Sequence, residues 1–552
     1  MSLVIALLAI LPCLYAVLPR HRQLSIGIKW GLPDWLILIL FGGPIVCLEF
    51  NDVFVKHGVA FRRPLPAGFT PTLLSEALLI GLVVAISIRL KLAGLRRSKL
   101  KSFLRLCQEL LWSEQSGELL ELISEHHKAI FRFSNRKTFW SSIASATRPV
   151  PTFDLARIPE LLKGEIGTKN DKAKRGKVSL LRALDGASDG QIYRWTSAVE
   201  ARLDDSDVVQ EFFQSVLLST HFVNQLVRMR PYLGVDLLCD WPSRPYDSQY
   251  FTFLDWYTGT LLTQPDSVLY RELRDNQNLT HNRYFLAPTN RLLLFFLEDA
   301  KKAHERRIYK PIGDATLRKI RSYTGFGKSN DPYNHAKTDF EEYAIYRDPI
   351  YAGIRLFDIM VLEGLHQDVG WHMWLYYLAS FVQAMAKNYF VDPRFSTGDE
   401  EFPNIYAYLI YLSVTALRDF VKAAEDLESP NLQIQFSAQT HENNNIVKSS
   451  IFALSQCLYA VLAAEDVNEK FKRYIGEIVL DIYFFLRRHE QLMPYAEVLS
   501  FKLKHEADYR HDQAEYLDLL QDLVAFHRSE FTIRYDMEDF EALSLELFGF
   551  VL

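Results

Sequence analysis

The sequence predicts an all-α protein: two or three N-terminal transmembrane helices followed by a large helical cytosolic domain. Three observations carry this. Apolar runs at Leu3–Leu18, Trp35–Leu48 and Leu73–Ile88 crowd the first hundred residues, with the charges falling between them. From Ser102 onward apolar residues recur at helical spacing. Alternating, strand-like stretches are almost absent, and Leu432–Phe436 is the one tempting segment.

A hydrocarbon core about 30 Å thick needs roughly 20 apolar residues in a helix, with about 17 as the minimum. The first run barely reaches that. It lacks the basic residues before it and the small-residue cleavage site after it that a signal peptide needs, so it is expected to be an uncleaved anchor. The second run spans only if it extends from Trp30 to Phe50. Its Gly42, Gly43 and Pro44 are expected to kink the helix or admit a neighbour, and Trp30 and Trp35 suit a membrane interface. The third spans if Leu90 and Leu92 are counted and Arg89 snorkels.

Just beyond lie Arg89, Lys91, Arg96, Arg97, Lys99 and Lys101, a cationic cluster of the kind retained in the cytoplasm. The first loop carries Arg20, Arg22 and Lys29, while the second carries Lys56, Arg62 and Arg63. The balance predicts an integral membrane protein, preferably of a bacterial inner membrane, with residues after about 90 in the cytoplasm. Glu49 and Glu76 fall near the same outer interface. Deep in the membrane they would mark an ion path, but at that depth they are expected to reach interfacial water.

The chain divides into a transmembrane anchor (1–101), a stalk (102–163), a basic loop (164–178), a helical domain (179–395) and a C-terminal helical domain with an acidic tail (396–552). Phe103–Leu111 continues the third span as an amphipathic stalk, with a break at Gly117 and an end at Pro149-Val-Pro151. Further helices are expected at Val208–Met229, Asn290–Arg307, Tyr351–Leu365, Trp371–Lys387, Ile405–Leu427, Val447–Ala464, Phe471–Arg488 and Gln513–His527, several with Asp, Ser or Asn near their starts as N-caps. Trp371–Lys387 and Ile405–Leu417 are apolar but too short to span, which makes them core helices. Ala423-Ala-Glu-Asp426 recurs as Ala463-Ala-Glu-Asp466, a period that leans toward stacked helical hairpins.

Charge separates the two parts. Residues 1–101 hold 12 Lys/Arg against 4 Asp/Glu, and the remainder 50 against 63, so that +8 is followed by −13. An acidic body is pushed off an anionic membrane and lacks the overall footprint of a nucleic-acid binder. Cys13, Cys47, Cys107, Cys239 and Cys457 are scattered without zinc spacing and read as small apolar residues.

Candidate chemistry is sparse. Ser322–Ser329 nearly spells a phosphate-binding loop, but Ser322 stands where glycine is required and no strand precedes it. Lys301–Lys328 holds nine Lys/Arg against Glu305 and Asp314. Within it Arg306, Arg307, Lys310, Arg318, Lys319, Arg321 and Lys328 are the candidate ligand-binding basic face. Lys169, Lys172, Lys174, Arg175 and Lys177 form a basic loop. Both could grip phosphate, but the plainer reading is a solvated face or a partner for the acidic tail. His126-His127, and His505 with Asp508 and His511, are read as surface histidines, since their spacing does not build a metal face. The aromatic clusters at Tyr250–Tyr257 and Trp371–Tyr377 are expected to fill core. No metal and no cofactor is expected.

Function is accordingly read as non-enzymatic: a membrane-anchored interaction or sensor protein whose cytosolic body binds a protein, a second copy of itself or a phosphate-bearing ligand. The lipid bilayer is its first partner, and nucleic acid or nucleotide ranks behind protein. Two alternatives stand: a toxin- or defence-type effector whose spans form a gated pore, and an all-α hydrolase or nuclease with a dispersed site.

Overall fold

In a computed structural model, the described residues are 15–57, 70–92, 94–95, 97–135, 206–242, 248–275, 279–280, 283–284, 286–323, 327–335, 340–367, 369, 373–391, 402–426, 446–506, 513–530 and 537–550. Most of the first apolar run, the loop Lys169–Lys177, Leu432–Phe436, Asp508 and His511 lie outside them. The protein is predominantly helical. The exception among the described residues is a two-residue antiparallel pairing of β1 (Leu279–Thr280) with β2 (Arg283–Tyr284).

The chain forms two compact units. The first contains α1 (Arg20–Lys29), α2 (Leu32–Glu49), α3 (Asn51–Lys56), α4 (Pro71–Leu92), α5 (Leu100–Trp112), α6 (Ser116–Asn135) and α7 (Ser206–Phe212), the last continued by a π turn at Phe213–Leu217. Next, α8 (Thr220–Met229) and α9 (Pro231–Asp240) carry the chain onward. The second unit holds α10 (Ser248–Thr263), α11 (Val268–Asp275), α12 (Arg291–Leu297), α13 (Ala300–Glu305), α14 (Tyr309–Arg321), α15 (Phe340–Arg347), α16 (Pro349–His366), α17 (Trp374–Asn388), α18 (Ile405–Ala423), α19 (Ile446–Leu462), α20 (Glu469–Arg488), α21 (Met493–His505), α22 (Gln513–Glu530) and α23 (Met537–Phe548).

In the first unit α2 and α4 are long and apolar enough to cross a membrane, and only 11% and 17% of their apolar windows are buried within the protein. They pair antiparallel. Ile45, Leu79 and Leu82 form the seam, flanked by Ile37, Phe41, Leu78 and Ile86. Close approach occurs at Gly81, where an added Cβ would sit 3.3 Å from the Phe41 ring. It does not occur at Gly42 or Gly43, which have nothing against them, and α2 runs on through Pro44. Among the described residues Gly42 and Gly43 therefore take no part in the α2–α4 seam, and their side of α2 stands open.

Each end of the pair is closed by polar groups. Asp34 reaches back to the Gly31 backbone N–H at 2.8 Å and lies 3.6 Å from Arg89. At the other end the Ser75 hydroxyl donates to Glu49 at 3.4 Å. The stalk is not a continuation of α4: a 3-10 turn at Arg97–Lys99 precedes α5. The break before α6 lies at Glu114, whose φ of 58° places it in the left-handed region, and Gly117 is already helical.

The second unit is built around α16, in which residues 349–354 and 356–365 are all buried. Each of α16, α17, α18 and α19 packs on the next helix and the next but one. The predicted core helices are confirmed in α17 and α18, where Trp374, Leu378, Phe381, Tyr406, Leu409 and Leu417 are fully enclosed. Side-chain N-caps start several elements: Asp348 accepts from Tyr351 N at 2.7 Å, Asn404 from Ala407 N at 2.8 Å and Asn468 from Phe471 N at 2.7 Å. The predicted helix Asn290–Arg307 is two helices, because Asp299 caps a new start at Ala300.

Candidate functional site

The basic segment is resolved into separate environments rather than one continuous face. Arg306 lies over the Phe295 ring at 5.5 Å and Arg307 over Phe251 at 5.9 Å. Lys310 pairs with Asp314 one turn along α14. Lys328 pairs with Asp466, the last residue of the repeated Ala-Ala-Glu-Asp tetrad, on the wall of an open cleft of about 450 Å³. Arg318 and Arg321 are exposed on α14.

Lys319 is placed differently. Its ammonium lies 4.8 Å above the Tyr323 ring, and among the described residues it enters no ion pair. It lines a second cleft, about 440 Å³, with Tyr323, Tyr333, Phe340, Tyr343, Arg347 and Asp348. Arg347 sits 5.9 Å from the centroid of Tyr343, its neighbour one helical turn back, and 3.7 Å from Asp266. Two cations, one exposed ring (Tyr343) and a buried carboxylate converge here, which makes the cleft a candidate site.

The floor is rigidly held. Asp348 is buried and accepts from the Tyr333 hydroxyl and the Tyr351 N–H. Burial pushes its carboxyl above the usual carboxylate range, against the pull of those hydrogen bonds. Tyr333 stacks on Tyr406 at 5.3 Å, and the Tyr406 hydroxyl donates to Asp331 at 2.7 Å. Beside them Asn334 donates to the Asn388 carbonyl at 2.8 Å and accepts from Phe390 N at 2.9 Å. Asn388 in turn donates to the Ile320 carbonyl at 3.0 Å, and Asn404 donates to the Phe390 carbonyl at 2.9 Å. These amides clasp three connecting segments together, so that the cleft wall is satisfied rather than strained.

Of the sequence candidates only Lys319 lines this cleft. Tyr343, Arg347 and Asp348 were missed, although Asp348-Pro349 is a recognisable helix start and Tyr343 and Arg347 share a helical face. The near-phosphate loop is not one: α14 precedes Gly327 and a three-residue 3-10 turn follows it.

The paired histidines are a correction. His126 and His127 are buried, at 2% and 5% exposure, because α1 and the aromatic residues cover them. His126 Nε2 lies 3.2 Å from Ser25 Oγ and packs edge-on against Phe103. Neighbouring Glu125 pairs with Lys29, and Arg20 meets Glu118 at 3.7 Å. Burial pulls the His126 imidazole down to about 4, with Glu125 opposing. The arrangement is not a catalytic triad, since Glu125 and Ser25 both address the same ring nitrogen. His127 Nδ1 lies 3.0 Å from the Ser124 carbonyl and its Nε2 3.1 Å from Asp240. No group of three metal-binding side chains occurs among the described residues. Cys107 and Cys457 are buried thiols pushed up by desolvation, whereas Cys239 is exposed, against the apolar expectation.

Comparison with protein families, characterised proteins and solved structures finds no match to this chain.

Proposed function

We propose that this chain is a membrane-anchored binding protein. In this reading α2 and α4 form a transmembrane hairpin, and the helical body lies in the cytoplasm, preferably of a bacterial inner membrane. The observation that carries it is the outward surface of the hairpin. Leu32, Trp35, Leu36, Ile39 and Leu40 on α2, with Ile80, Val84 and Ile88 on α4, are exposed side chains that a bilayer would cover. Eighteen helical residues reach about 27 Å, close to the hydrocarbon thickness. Polar groups stand at the ends, with Asp34–Arg89 at the body side and Glu49–Ser75 at the far side. Glu49 and Glu76 are then interfacial.

The body is read as stacked helical hairpins that present a binding surface to a protein partner or a phosphate-bearing ligand. The next-and-next-but-one packing of α16–α19 supports that stacking. Mass spectrometry of material co-purifying in mild detergent tests the binding role. Arg318→Glu, Lys319→Glu and Arg321→Glu together are expected to remove a stoichiometric partner without unfolding the protein. Retention of that partner would contradict the assignment.

A second reading, a gated pore, draws on Gly42 and Gly43, whose open face would accept another helix. Ionic leak in overproducing cells, abolished by deleting residues 1–101, would favour it.

A further inference from the structure

We infer that the cleft between α14, α15 and the start of α16 binds a nucleoside phosphate, with phosphate on Lys319 and Arg347 and the base stacked on Tyr343. This deepens, and rests on, the reading of the body as a binding module. Four features at one place carry it.

The cleft's 440 Å³ lies within the range that small-molecule sites occupy, about 300–1,000 Å³. Neither of its two cations is held in a tight ion pair among the described residues, although Lys319 acts at longer range on the carboxylates of Asp348 and Asp331. Lys319 has no ion pair among the described residues, and Arg347 meets Asp266 at 3.7 Å with both side chains more than half exposed, a pair of little worth. Tyr343 is 56% exposed beside a buried aromatic cluster, with Arg347 over its ring at 5.9 Å, which leaves ring surface in reach of a base. Asp348 closes the floor as a buried carboxylate that already accepts from the Tyr333 hydroxyl and from the Tyr351 and Ile350 N–H groups.

The charge layout sets the orientation. A phosphate is repelled by Asp348 and drawn to the lysine and arginine. The base is then left to the exposed Tyr343 ring. Bare phosphate satisfies only half of this arrangement, and so does a free nucleoside. Binding is therefore expected to need both parts of the ligand.

Titration calorimetry on the full chain in detergent, using ATP, GTP, inorganic triphosphate and the free nucleosides, tests this. At least one nucleotide is expected to bind about tenfold or more tightly than triphosphate or its own nucleoside. Lys319→Glu with Arg347→Glu should abolish that binding, and Tyr343→Ala should weaken it about tenfold, with thermal unfolding unchanged. If the double variant misfolds, Arg347→Gln alone should still weaken nucleotide binding severalfold. Triphosphate binding as tightly as the nucleotides, equal binding by the variants, or no nucleotide binding at all would overturn the assignment. A protein partner captured by a chain that binds no nucleotide would leave the anchored-binding reading standing and remove only this one.

Discussion

At the residue scale, the buried imidazole of His126 ties stability to pH. Its pKa falls from 6.5 to about 4 on burial, so the unfolded chain binds more protons between those values. Stability is then fully present above pH 6.5 and is lost as pH falls toward 4, by about 3 kcal/mol in all. Glu125, held low beside Lys29 and His126, gives a loss of the same sign at lower pH. Urea unfolding of the full chain at pH 7.5 and 5 is expected to show the drop, and His126→Gln to flatten it between pH 6.5 and 5. An unchanged slope in the variant would assign the effect elsewhere. This histidine was illegible in the sequence, because Glu125 and Lys128 beside it give the segment the appearance of a solvated face. Burial depends on α1, which lies a hundred residues away.

At the scale of elements, helix periods and caps were legible and helix junctions less so. The core helices α17 and α18 follow from apolar spacing, whereas α20 starts at Glu469 behind the Asn468 cap, two residues ahead of the expected Phe471. The sequence also contained the split at Asp299, but continuous apolar periodicity outweighed a single capping residue. Two substitutions separate local from tertiary effects. Asn468→Ala should cost about 1 kcal/mol, the ordinary worth of a cap. Asn404→Ala should cost about 2 kcal/mol or more, since it also strips Phe390 and Asn334 of a partner. Equal losses in thermal unfolding would contradict the clasp. Gly353 marks a packing constraint that sequence pattern does not reveal: a Cβ there would overlap the Thr316 side chain where α14 crosses α16. Gly353→Ala is expected to destabilise by about 1–3 kcal/mol, again read from the melting curve.

At the scale of the whole molecule, the apolar N-terminal hairpin and the predominantly helical character were plain from composition and period. The candidate cleft was not. Its residues come from four separated stretches, around 319–323, 332–333, 340–349 and 405, and only helix packing and the asparagine clasp bring them together. A segment dense in lysine and arginine looked like one face, yet folding distributes it among rings and carboxylates. Local charge is visible in a sequence, but the partners that neutralise it are not.

In the proposed topology α2 and α4 cross a bilayer, and α5 and the body follow on one side. Sided labelling reads this out. With Cys239 changed to serine, His57→Cys beyond the far end of α2 and Ser98→Cys just before α5 would be probed with an impermeant maleimide in spheroplasts and in inverted vesicles. His57→Cys is expected to react from the periplasmic face and Ser98→Cys from the cytoplasmic face. Labelling of both from the same face would refute that topology.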